Sequence, residues 1–87
     1  MRSRAYGSVA VNHVDVAKLT SGREGSELVV GMDIGKYQLM AVARWPDGEF
    51  ERPCLVKNPE ELPDLLALLR RLGQDHTVTV ALEPSGT

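Results

Sequence analysis

The apolar positions of this chain form blocks of different period, and each block predicts a different element. Leu28 to Lys36 reads LVVGMDIGK, a short apolar run that ends on a carboxylate, Asp33, and then meets Gly35. Apolar runs of about four to eight residues bounded by turn residues read as strands buried on both faces. Gln38 to Arg44 (QLMAVAR) is a second stretch of strand length, and Glu49 to Lys57 is a third. Between them stands Trp45–Pro46–Asp47–Gly48, where proline presets a turn and glycine accepts positive φ. Trp45 reads as a hairpin-packing residue. Pro53 cannot donate to a ladder and predicts an edge strand or a bulge. Leu62, Leu65, Leu66, Leu69 and Leu72 recur at helical spacing and predict one apolar stripe. Asn58 is placed to cap that helix, Pro59 to take its first position, Glu61 to complete a capping box and Gly73 to end it. Pro63 removes a backbone donor and predicts an irregular first turn. Thr77 to Glu83 (TVTVALE) alternates as a fourth strand and ends on a second carboxylate, Glu83.

Residues 1–27 lack this order. Val9, Val11, Val14 and Val16 fit neither the helical nor the strand period, and Thr20 to Ser26 has the composition of a linker. The segment reads as a disordered N-terminal tail, with His13 solvated in it, and residues 28–87 read as the organised part.

Strand directions bring the two carboxylates together. Tight connections make the first three strands an antiparallel meander, and the helix returns the chain so that the fourth strand runs parallel to the first. Hairpins already fill one side of the first strand, so the predicted α/β sheet has the order 3-2-1-4, with a right-handed crossover. Asp33 and Glu83 then stand at the C-terminal ends of adjacent parallel strands, about 5 Å apart. Carboxylates that close repel unless a proton or a cation lies between them. A hard divalent ion, Mg²⁺ or Mn²⁺, suits such oxygen ligands, and ligands of open α/β sheets gather at the carboxyl ends of strands. The alternative for Asp33 is a cap of the following turn.

Composition narrows the class. The 87 residues allow one small domain or part of one, and the net charge of −2 is not that of a free-standing basic nucleic-acid binder. Aromatic content of 5% argues against a stacking platform for single strands. Cys54 is the one cysteine, so an intrachain disulfide is excluded. No signal-peptide pattern and no long apolar run stand out, which predicts a cytoplasmic protein with no membrane partner.

The block from VGMDIGK through the leucine helix to VTVALEPSGT resembles the N-terminal part of the DEDD-type insertion-sequence transposases. The resemblance covers about residues 28–87 and rests on GMDIGK and ALEPSGT together. It implies a partial RNase H-like (RuvC-like) fold, DNA transposition and site-specific recombination, a Mg²⁺ or Mn²⁺ cofactor, and DNA, with a structured guide RNA, as partner. It also implies that Asp33 and Glu83 are catalytic residues and metal ligands. The family's other two acidic residues and its serine-bearing domain have no counterpart before Thr87, and Ser85 is not the family's nucleophile. The chain is therefore expected to be a truncated transposase fragment, inactive alone, with self-association or pairing with full-length transposase as consequences. The alternatives are a non-catalytic interaction remnant and an actin-like or sugar-kinase-like nucleotide-binding fragment. The second needs a later glycine-rich segment, which the sequence lacks.

Overall fold

The computed structural model describes residues 8–84. It is a mixed α/β fold in which one five-stranded sheet carries its helices on one face. The strands are β1 (Val9–Ala10), β2 (Glu27–Ile34), β3 (Gln38–Arg44), β4 (Cys54–Lys57) and β5 (Thr77–Pro84). Two helices, α1 (Val16–Leu19) and α2 (Leu62–Leu72), and a 3-10 turn at Val11–His13 complete it. The spatial order is β1-β4-β3-β2-β5. β2 is antiparallel to β3, β3 antiparallel to β4, and β5 parallel to β2. The predicted meander and the position of the last strand are thus both present, with β1 added beyond β4.

β2 differs from the expectation of a strand buried on both faces. Leu28, Val30 and Met32 of β2 are buried, whereas Val29 is 40% exposed and Asp33 lies in solvent. Leu39 and Ala41 of β3, Cys54 and Val56 of β4, and Leu65 and Leu72 of α2 complete the core on the same side. Among the described residues no helix lies on the opposite face, so an apolar run that looked two-sided has its helix cover on one side only.

The helix begins later than the proline at 59 suggested. Glu61 is its N-cap residue and Pro63 falls in its first turn, where the missing N–H costs nothing. Asn58 makes no cap. The carboxylate of Glu61 instead accepts the Lys57 N–H at 2.9 Å, while the Glu61 N–H donates to the Lys57 carbonyl at 2.8 Å. Within the leucine series, Leu66 is corrected: it is 58% exposed, and Leu68 packs against the core instead. Positions 62, 65, 69 and 72 follow the i, i+3, i+7, i+10 line that meets the sheet, and position 66 lies off it. The C-cap residue Gly73 keeps a right-handed helical conformation, and its N–H donates to the Leu69 carbonyl at 2.9 Å.

The third predicted strand is shortened to Cys54–Lys57. Before Pro53 only a single bridge, Arg44 to Phe50, continues the pairing. Pro53 contributes its carbonyl, which accepts the Val9 N–H at 2.9 Å and starts the parallel β1–β4 pair.

The N-terminal segment also differs from the tail expected of it. From Ser8 on it carries β1, the 3-10 turn and α1. Val11 is buried in the core, and Val14, Val16 and Leu19 pack against it. Asp15 caps α1 by accepting the Lys18 N–H at 3.2 Å. The valines fit no single period because each belongs to a different short element. Gly22 and Gly25 take positive φ in the turns that lead into β2, and Arg23 between them reaches across to the β3–β4 connection.

Candidate metal site at the open rim of the sheet

Alternation along the strands places Asp33 on the uncovered face. Its neighbours in β2 with buried side chains are Leu28, Val30 and Met32, so the odd-numbered positions face away from α2. In β3 the same face carries Gln38, Met40, Val42 and Arg44, and in β4 it carries Leu55 and Lys57, as the register shows. Along this face runs a shallow depression of about 210 Å³, lined by Val29, Gly31, Met40, Val42 and Ala81, with Asp33 and Arg44 also bordering it. Asp33 and Arg44 lie four residues apart in register, since Arg44 is the partner of Val29. That spacing is roughly 13 Å along a strand.

The parallel β2–β5 register pairs Asp33 directly with Glu83. Both positions lie near the C-terminal ends of their strands, which stop at Ile34 and Pro84. The backbone separation is that of neighbouring strands, roughly 5 Å. The Asp33 carboxylate is exposed and enters no ion pair among the described residues. It is not a turn cap: the tight link from β2 to β3 is closed by the backbone, with the Gly35 N–H donating to the Gln38 carbonyl at 2.9 Å.

No protein-family model, curated protein or solved structure matches the chain.

An exposed carboxylate beside a second acidic position fits a hard cation, which prefers oxygen ligands and tolerates water in its remaining positions. Among the described residues no group of three or more His, Cys, Asp or Glu side chains is assembled to hold a metal ion. A cation held at two acidic positions would take most of its coordination from water or from other oxygen donors. Ser85 lies outside the described residues.

Two features of the rim were not singled out in the sequence. Gln38 and Lys57 are register partners at the end of the open face, and both are exposed. Their alternation with buried Leu39 and Val56 is the signal that places them there. Lys57 brings an ammonium to the rim that carries Asp33. Tyr37, at the β2–β3 turn, is 74% exposed, with the Lys36 ammonium 5.4 Å from its ring centroid.

A second cluster of charged residues is structural. Arg23 pairs with Asp47 at 2.9 Å and Glu49 at 3.5 Å, and its guanidinium stands 4.8 Å from the Trp45 ring centroid. The buried Trp45 indole donates to Glu51 at 2.8 Å, and His76 meets the indole edge-on. The His76 Nδ1 lies 2.9 Å from the Ser26 carbonyl, where a protonated Nδ1 donates to it. These contacts tie the segment before β2, the β3–β4 turn and the entry to β5 into one corner. The indole is a packing residue, as its position beside Pro46 predicts.

Proposed function

We propose that the open rim is the two-carboxylate half of a divalent-cation site for phosphodiester chemistry on DNA, of the kind found in DEDD-type transposases with an RNase H-like catalytic domain. The observation that carries this reading is the parallel register of Asp33 with Glu83 near the C-terminal ends of adjacent strands. Asp33 and Glu83 would hold Mg²⁺ or Mn²⁺, and a cation held there supplies charge neutralisation and Lewis-acid polarisation to a phosphodiester. The other parts of the reading concern this chain's own side chains. Lys57 attracts a phosphate towards the rim, and Gln38 beside it offers an amide donor. DNA is the partner class, with a guide RNA and a full-length transposase as further partners under the same reading. Complete catalysis requires acidic ligands beyond these two.

Titration of the purified chain with Mn²⁺, followed by calorimetry and by water-proton relaxation, tests the site. Asp33→Asn and Glu83→Gln should each weaken the ion by about tenfold or more, with the far-ultraviolet circular dichroism unchanged. Mn²⁺ binding that is indifferent to both substitutions would remove the rim from consideration.

A further inference from the structure

Two depressions meet on the face of the sheet that carries Asp33. Val42 and Arg44 border the one beside Asp33. The same two residues border a larger groove of about 420 Å³, completed by Phe50, Glu51, Arg52 and Pro53. The Asp33 rim and this groove are therefore joined along β3, and their ends, Asp33 and Arg44, lie roughly 13 Å apart by register.

The groove sets an aromatic ring beside two guanidinium groups. Arg44 and Phe50 are partners in the bridge that continues the β3–β4 pairing, and residues directly opposed in this way carry their side chains on one face. Phe50 is 69% exposed, and Arg44 and Arg52 are exposed as well. Backbone pairing, not burial, thus holds the ring in place. The acids on either side of Phe50 are engaged elsewhere. Glu49 pairs with Arg23, and the Glu51 carboxylate accepts the Trp45 indole N–H at 2.8 Å. Neither Arg44 nor Arg52 enters an ion pair among the described residues. A lone exposed phenylalanine needs no explanation. One set beside two guanidiniums in a concave site combines a stacking face for a base with donors for phosphate oxygens.

We infer that this groove holds one unpaired nucleotide of a DNA strand that continues to the Asp33 rim. Phe50 stacks on the base, and Arg44 and Arg52 donate to phosphate oxygens. The inference rests on the DNA reading of the rim and adds the form of the DNA. A base reaches a protein ring only where it is unstacked, so the strand is single at this point. Continuity of the two depressions through Val42 and Arg44 selects a strand over a free nucleotide. Roughly 13 Å corresponds to about four nucleotides at the duplex rise of about 3.4 Å, and to fewer in a stretched strand. One ring grips one base, in keeping with an aromatic content of 5% that is too low for a continuous platform.

Fluorescence anisotropy of the intact chain with a labelled oligothymidylate of about twelve nucleotides, in the presence of chelator and over a series of salt concentrations, tests the groove. Chelation removes the cation from the measurement, so failure of the metal reading and failure of this one show in different experiments. The parent chain is expected to bind the strand more tightly than a duplex of equal length and more tightly than thymidine monophosphate. Phe50→Leu removes the stacking face and should weaken binding by about fivefold or more, and Phe50→Trp should retain it. Arg44→Gln and Arg52→Gln should each lower the slope of log affinity against log salt by about 0.7. Arg71→Gln, an exposed arginine of α2 on the other side of the sheet, should leave that slope unchanged. Absence of binding by the parent at low salt, undiminished binding by Phe50→Leu, slopes indifferent to both groove arginines, or an equal effect at Arg71 would each overturn the inference. So would a duplex, an oligouridylate or the monophosphate held more tightly than the DNA strand. All variants should keep the circular dichroism of the parent. If Phe50→Leu loses it, the salt slopes of the two arginine variants decide.

Discussion

Asp47 and Cys54 show how position sets proton affinity in opposite directions. Asp47 lies in the turn after Trp45, where its carboxylate accepts the Glu49 N–H at 2.9 Å and pairs with Arg23. The Glu49 N–H above all holds the Asp47 carboxyl below its ordinary 3.8; desolvation opposes it, and Arg23 adds to the lowering. A lowered pKa means that this carboxylate's contribution to stability is present above about 3.8 and is lost as pH falls through the folded value. Asp47→Asn should therefore flatten the acid limb of the stability curve below that pH, which urea unfolding at a series of pH values measures. Cys54 is buried on β4, and desolvation, followed by the charge of Glu61, pushes its thiol up to about 11. At pH 8 its thiolate is then about a hundredfold scarcer than that of a thiol with a pKa near 9, so alkylation of the native chain should lag the urea-unfolded chain by at least that factor. Equal rates in the two states would mean that Cys54 is not held in the core. Both residues could be seen in the sequence as a turn acid and a lone cysteine. Their partners, Arg23 and Glu61, could not, because they lie 24 residues away in one case and across a strand–helix junction in the other.

Elements whose pattern is strictly periodic were legible, and those built from short pieces were not. β3 has the predicted bounds, Gln38–Arg44, and β5 extends the predicted Thr77–Glu83 by one residue. The β2 run was read correctly as a strand but incorrectly as two-sided, since consecutive valines at 29 and 30 conceal which one faces the core. The helix was legible by its leucines and misread at its start, where Pro63, not Pro59, decides the first turn. Two substitutions separate the buried line of α2 from its surface. Leu65→Ala should cost about 2–4 kcal/mol through lost burial and the cavity left behind, while Leu66→Ala should stay within about 0.5 kcal/mol. Comparable losses at both positions would contradict the packing of α2. The β2–β3 connection has its own constraint at Gly35, where an added Cβ would meet the Gln38 carbonyl at 2.8 Å. Backbone cannot yield as a flexible side chain does, so Gly35→Ala should destabilise by about 1–3 kcal/mol in thermal unfolding.

At the scale of the whole molecule, strand order was legible because short connections leave few topologies, and the same reasoning brought positions 33 and 83 into register. Coverage of the sheet was not legible. It depends on which surface the N-terminal segment occupies, and a valine every two or three residues carries no periodic signal for that. The segment nevertheless closes one end of the core. Val11 is 4% exposed, Val14 and Leu19 pack beside it, and the Ser26 carbonyl meets His76. Arg23 adds the ion pairs to the β3–β4 turn, but such exposed pairs contribute little by themselves, typically under about 1 kcal/mol. The apolar contacts must therefore do most of the holding. This yields a test that sets a packed segment against a loose tail. Val11→Asp would bury a charge with no partner and should cost about 3 kcal/mol. With a urea dependence of about 1–3 kcal/mol per molar for a small domain, the midpoint should fall by at least about 1 M. Trp45 reports the transition, because its buried indole lies where the segment, the turn and β5 meet. Asn12→Asp, an exposed neighbour in the same 3-10 turn, adds the same charge without burial and should leave the midpoint in place. An unchanged midpoint for Val11→Asp would mean that residues 8–26 do not belong to the cooperative core, and the sheet would then have to be stable with that end of its helix-bearing face open.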